Sequence, residues 1–445
     1  MSEITKEINP VKELRENFNA FEVGLNGKSK TEIHKVRRNA IEAFENLGLP
    51  GSKNEEYKFT DLKKALNKHF DFKTIDARGS IDKEEIAQYI LPGLKANVLI
   101  FVNGHFESEL STIVSQKDEL IIKDLSLAIE ENKEDIDNYF SKYADYSADA
   151  FVALNTAFAS QGCFIKVADN KTVETPTTLY FFNDSKSDKA YSQPRNLIIA
   201  GKNSEATFIE SFHTIGEHAS FTNTVTEIIV GENARTSYYK LQNNQESAYH
   251  VGTTQVWQTR TSNFSAYTFT LDGAMVRNNL NIASDGEGCE SHMYGLYLLH
   301  GQTHVDNHTV IDHIQPNSFS NELYKGIMED QSHGVFNGKV YVRQAAQKTN
   351  AFQSNKNILL SDGAVINSKP QLEIWADDVK CSHGCTTGQL DEEAMFYLQT
   401  RGLSKEKARV LLLYAFATEV LEHVKLDPLK EYLENLISER LHKDF

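Results

Sequence analysis

Three residues with metal-binding side chains occupy alternate positions near the C-terminus: Cys381, His383 and Cys385, in the run Cys381-Ser382-His383-Gly384-Cys385. In an extended strand the side-chain period is two, so all three point to one face. Thiolate and imidazole are ligands that iron, copper and zinc accept, whereas calcium and magnesium ask for oxygen. The spacing suits a shared metal or sulfur cargo. An unperturbed thiol, with a pKa of about 8.5, is only a few per cent thiolate at neutral pH, a cost of roughly 2 kcal/mol that a metal bond readily offsets. An imidazole with a reference pKa of about 6.5 is already a competent ligand. One histidine with one or two cysteines is too few for a closed four-ligand site, so the missing ligands would come from water, substrate or another chain. The same residues also read as small buried hydrophobes beside a strand-end histidine, with Gly384 able to bend the strand.

Other candidates carry less. His300, His304, His308 and His313 form a second cluster. Its four-residue spacing would align the first three on a helix, but Gly301 and Asn307 interrupt it and the surroundings read as strand and turn, which favours polar ladder roles. Cys163 and Cys289 stand singly beside Gly162 and Gly288 and read as packing residues. Gly27-Lys28-Ser29 ends like a phosphate loop, yet Glu22 stands where the first glycine belongs, so the chain is expected to have no ATP site of its own. No nucleophile elbow, His-Glu-x-x-His pair or dinucleotide-binding glycine turn is present.

The elements that position these residues are legible in outline. A helix is expected after a cap at Ser29, with Glu32 at capping-box spacing and an apolar stripe from Ile33 to Leu47 that stops at Gly48. Shorter helices are expected at 62–69 and 83–89, and a buried strand at 98–102 before the Asn103-Gly104 turn. From about Phe151 to Cys385 the period becomes two. Leu197-Ile198-Ile199-Ala200-Gly201 and Glu227-Ile228-Ile229-Val230-Gly231 are near copies thirty residues apart, each followed by a polar turn and an aromatic strand. Repeats of this kind bury a continuous core only when stacked, which favours a β-solenoid, with a sandwich as the alternative. The last sixty residues return to helix, with Asp391 and Ser404 as caps and Asp427-Pro428 opening the final helix.

Composition narrows the function classes. With 445 residues, 40% hydrophobic, 24% charged and 8 Pro, the chain reads as globular. A net charge of −16 argues against a phosphate-backbone binder, so nucleic acid is not an expected partner. Residues 1–17 are polar, no apolar run approaches the roughly 18 residues of a membrane span, and 4 Cys do not make a disulfide framework. A reducing cytoplasm is the expected compartment.

Asn357-Ile358-Leu359-Leu360-Ser361-Asp362, Lys369-Pro370-Gln371-Leu372-Glu373-Ile374 and the block at 377–404, DDVKCSHGCTTGQLDEEAMFYLQTRGLS, resemble the SufD side of the SufB/SufD family, components of the SufBCD iron–sulfur cluster assembly complex. Gly338-Lys339-Val340 and the 346–351 segment fit the same pattern, as does LPGSKNEEYKFTDL at 49–62 with Tyr57 in the aromatic place. The resemblance implies a mainly β fold, a right-handed parallel β-helix flanked by an N-terminal mixed or helical domain at 1–147 and a C-terminal helical domain at 389–445, with the β-helix at 148–388. It implies a non-catalytic scaffold that pairs with SufB through the β-helix and docks the ATPase SufC through the C-terminal helices, within 389–423. A homodimer in isolation is also allowed. A transient iron–sulfur cluster shared with SufB would be held by His383, with Cys381 as a second candidate; nothing is expected to bind tightly to the isolated chain. Cys385 stands where many relatives have alanine, so its participation rests on spacing alone. Ser382 and Gly384 replace the glutamates that flank the histidine in SufB. The readings that remain beside this one are a metalloenzyme using Cys381, His383 and Cys385, and a β-helical carbohydrate-binding protein, against which only 2 Trp count.

Overall fold

The computed structural model describes residues 10–25, 31–72 and 78–443. Its centre is a parallel β-solenoid of about eight turns, with helices before and after it. Each coil contributes one strand to each of two facing sheets. In one sheet Leu197 lies beside Glu227 and Ala200 beside Val230, and in the other Ala206 lies beside Thr236. The thirty-residue copies are thus neighbouring rungs. Register-paired residues share a face, so inward-facing residues of both sheets stack into a continuous core, including Phe208 and Tyr238 of one and Ile228 and Ile282 of the other.

The corners are built by asparagines in the left-handed region, where the short amide side chain offsets the cost of a positive φ. Asn170, Asn203 and Asn233 have φ of 61°, 53° and 57°. They stack through their side chains: Asn233 donates to Asn203 at 3.0 Å and Asn203 to Asn170 at 2.8 Å.

The outward faces of the two sheets are covered by different parts of the chain. Against one lie the C-terminal helices Lys405–Leu421 and Asp427–Lys443, which bury Leu413, Ala417, Val420, Leu429, Leu433 and Ile437 on Tyr239, Tyr267, Leu296 and Leu323. Each such side chain stabilises the contact by roughly 1.5–3 kcal/mol. The expected caps are formed: Asp391 accepts from the Glu393 and Ala394 amides, and Ser404 accepts from the Lys407 amide. Against the other face lies the N-terminal region, where Leu14, Phe18, Phe44 and Tyr57 meet Phe221 and Val251. The Glu32–Leu47 helix ends before Gly48 as expected, with Thr31 at its N-cap; the proposed cap Ser29 and the Gly27-Lys28-Ser29 sequence lie outside the described residues. A helix at Pro10–Gly24 was not expected from its polar sequence. The Asn97–Val102 strand lies parallel to Thr177–Ser185 as an early rung of a solenoid sheet.

The two ends of the solenoid differ. At the first, Asn97–Val102 is followed in its sheet by the antiparallel His105–Phe106 strand, and Leu120–Asp124 lies antiparallel on Cys163–Val167. At the last, Val365–Ile374 and Lys380–Gly388 are each the final strand of their sheet. Their residues are largely exposed or half-buried, whereas earlier rungs are buried.

Candidate functional site

The last strand carries the three residues singled out by spacing. Cys381, His383 and Cys385 are in register with Ala351, Gln353 and Asn355 of the preceding coil. Those three are buried, and Cys381 packs against the same core cluster as Ala351. All three candidates therefore project from the inward face, at a coil where nothing further is stacked. Gly384 leaves the register unbroken, so the alternation survives. Cys381 is half-buried and Cys385 exposed; the His383 ring is exposed as well.

The thiols differ in environment. Burial raises the Cys381 pKa above its ordinary value, partly opposed by a hydrogen bond with the Ala351 backbone. It remains a thiol at neutral pH until a metal or a sulfur donor displaces the proton. Cys385 donates to Ser368 Oγ at 3.1 Å, and Ser368 donates to Asn355 Oδ1 at 2.8 Å. Asn355 in turn donates to the Tyr297 hydroxyl at 3.2 Å. A polar chain thus runs inward from Cys385 into the solenoid.

Among the described residues, no three His, Cys, Asp or Glu side chains converge as a metal-holding group. Cys381, His383 and Cys385 share a face at strand spacing without closing on a common point. What this end presents is a partial donor set on an open edge, which can hold a metal or sulfur species once further donors arrive from outside.

The second histidine cluster does not assemble. Four residues is an even offset, so His304 and His308 share the outward face of their strand and meet the N-terminal region. His304 Nε2 lies 2.9 Å from Thr60 Oγ1, and His308 Nε2 lies 2.9 Å from Asp306. His313 faces inward to Ser320 at 2.9 Å, and His300 faces Asp272 at 3.3 Å. Cys163 and Cys289 are buried, as expected of packing residues.

Sequence reasoning missed a buried charge network beside that face. Arg277 donates to Asp306 at 2.7 Å and to the Glu56 carbonyl at 2.7 Å, while its guanidinium sits 4.0 Å from the Tyr57 ring centroid. Burial alone would raise the Asp306 pKa, but Arg277 and His308 hold it well below the usual carboxylate range. Glu56 is held down to about 2, first by its hydrogen bond with His308 and then by Lys339, against desolvation. These groups also edge a cleft of about 620 Å³ between the Glu55–Tyr57 turn and the solenoid. The network explains the aromatic and acidic residues at 55–57 as an anchor between the N-terminal region and the sheet.

A further exposed feature lies on the C-terminal helices. Phe396 and Tyr397 of Glu392–Thr400 are 68% and 56% exposed, and Leu411 is 47% exposed. The apolar excess read from this sequence is therefore divided: one side of the helices covers the sheet, and another is left uncovered.

A stacked β-coil protein with one uncovered end and sulfur and nitrogen donors on its last rung is the class these features define. Comparison with known proteins agrees and makes it specific. Residues 181–416 match the family model described as the SUF system FeS cluster assembly SufBD core domain, and residues 9–179 match the SufBD protein N-terminal region. The chain belongs to the SufBD family of iron–sulfur cluster assembly proteins. It is 32% identical to an iron–sulfur cluster assembly SufBD family protein of Synechocystis, over 98% of this chain and 96% of that one. It is 28% identical to the iron–sulfur cluster assembly protein SufD of Escherichia coli, over 88% and 90%, and 26% identical to SufD of Bacillus subtilis, over 92% and 94%. A role in iron–sulfur cluster assembly follows from that membership. No helix among the described residues is long and apolar enough to cross a membrane.

Proposed function

We propose that this chain is a non-catalytic scaffold subunit that pairs through its open solenoid end with a SufB-type partner, and that a nascent iron–sulfur cluster is held between them. The observation that carries the reading is the last rung: an edge strand without a neighbour, with His383, Cys381 and Cys385 on its inward face. An edge strand offers unpaired backbone groups to another strand, and a partner chain that extends the stack would bring its own ligands to the same seam. His383 is the principal ligand, Cys381 the second, and Cys385 a spectator or late participant. The cluster is cargo, bound in transit. The reducing cytoplasm expected from the free thiols suits that chemistry.

The ATPase partner, of SufC type, docks on the uncovered side of the C-terminal helices around Phe396, Tyr397 and Leu411. The test is co-purification with SufB-type and SufC-type subunits, followed by measurement of iron and acid-labile sulfide in the complex. His383→Ala is expected to lower cluster yield at least tenfold with the complex intact; an unchanged yield removes His383 from the reaction. Phe396→Asp is expected to release the ATPase; retained binding relocates the docking face. A point change is preferable to truncation, because removing 389–445 would strip Leu413, Leu429 and Ile437 from the sheet they cover. A stand-alone metalloenzyme would instead show stoichiometric metal in the isolated chain.

A further inference from the structure

His383 is one member of a column that continues inward. Glu322, Gln353 and His383 are register partners on three successive coils: Glu322 beside Gln353 and Gln353 beside His383. All three share the inward face, about 4.8 Å from rung to rung. Glu322 and Gln353 are 2% and 3% exposed. The Gln353 amide donates its Nε2 to Glu322 Oε2 at 2.7 Å. Above its raised pKa the Glu322 carboxylate accepts and cannot donate, so there this bond fixes which way round the amide sits. Its carbonyl oxygen is then left buried without a hydrogen-bond partner. The opposite wall makes room for the arrangement, since a Cβ at Gly338 would lie 2.4 Å from Gln353 Nε2.

A buried carbonyl without a donor is a strong acceptor waiting for one. The adjacent rung carries an exposed imidazole, His383, on the same face and in register with Gln353. Metal-binding histidines characteristically give their second N–H to an acceptor, which selects the tautomer and orients the ring. We infer that Gln353, oriented by Glu322, is the positioning residue for His383: its Oε1 accepts one imidazole N–H, and the lone pair of the other ring nitrogen is thereby turned to the open edge. Gln353 touches no cargo itself. The inference rests on the reading of His383 as a ligand only for its consequence; the hydrogen bond itself can be tested without a cluster.

The experiment uses the full chain labelled with ¹⁵N-histidine, above pH 8, with the His383 signals assigned by their loss in His383→Ala. The ring ¹⁵N shifts report the tautomer. One tautomer is expected to dominate in the native chain. Gln353→Met, which keeps the length of the side chain and removes the acceptor, is expected to shift His383 to a mixture of tautomers. Glu322→Gln frees the amide to turn round and is expected to produce a smaller shift in the same direction; it serves if Gln353→Met does not fold. Unchanged His383 shifts in either folded variant overturn the inference. Cluster yield in the complex separates the two readings: His383→Ala tests the ligand, whereas the tautomer populations test Gln353 whatever the yield.

Discussion

The flanks of the solenoid and its last coil are made from the same repeating strand, yet they treat charge and exposure in opposite ways. On the flanks, ionic groups are buried in pairs: Arg195 with Glu227, both inaccessible, and Arg277 with Asp306 at 2.7 Å. Glu227 also accepts from the Ser141, Tyr143 and Ala144 amides of the covering segment. At the last coil His383, Cys381 and Cys385 have no ion-pair partner among the described residues, and the backbone edge is bare. On the proposed function, burial there is supplied by a partner. Stability is then concentrated where the chain closes on itself and cluster chemistry where it does not, so the two can be perturbed separately.

The largest separation is expected from Arg195→Ala. It leaves the Glu227 carboxylate buried without its partner, and loss of one member of such a pair costs about 3–5 kcal/mol, read as a lower urea midpoint. Cluster chemistry per folded molecule should be unaffected; a midpoint within error of the native value would show that the flank is not held by charge pairing.

Next in size is Glu322. Burial raises its pKa from 4.5 to about 7, against hydrogen bonds that lower it. The native state therefore binds this proton more tightly than the unfolded chain does. Its favourable contribution is complete below about pH 4.5 and is lost as pH rises through about 7, a difference of about 3 kcal/mol at one pKa unit per 1.36 kcal/mol. Glu322→Gln should remove that dependence and be more stable than the native chain at pH 8 but not at pH 4. Denaturant titrations at both pH values decide it, and parallel curves for the two proteins would contradict the burial argument.

Asp391→Ala should cost about 1 kcal/mol through loss of the cap on Glu392–Thr400, visible as faster amide exchange in that helix. Exchange unchanged from the native chain would mean that packing, not the cap, holds it. Smallest of all, His383→Ala should change the unfolding free energy by no more than about 0.5 kcal/mol, as expected of an exposed side chain, while cluster yield falls at least tenfold. A large loss of stability would move His383 from the reactive end to the structural flank.

Much of this was readable in the residues. The thirty-residue copies gave the rung spacing, the caps at Asp391 and Ser404 are formed, and the alternate spacing of Cys381, His383 and Cys385 does place them on one face. What the sequence hid has a common cause. Arg277 and Arg195 carry no sequence sign of burial, because a strand pattern shows which face a residue is on but not what will cover that face. Pro10–Gly24 has a thin apolar stripe in which Leu14 and Phe18 do the burying, too sparse to stand out from a polar terminus. The four-residue histidine spacing would also suit a helix, but its strand-and-turn surroundings are what the structure shows, His304–His313 being a strand. Gln353 gave no signal at all: an uncharged amide becomes informative only once its neighbours on either rung are known.

The asparagine corners bear on how such a chain can change length. The turns at 201–204 and 231–234 have equal length and are locked by the amide stack through Asn203 and Asn233. On the opposite side, two residues separate Asp272 from Met275 and four separate Asn243 from Ala248. The asparagine side lengthens too, to seven residues between Val342 and Asn350, so the amide stack and not the corner as a whole sets the length. A residue lost from 201–204 or 231–234 would unseat the amides stacked there.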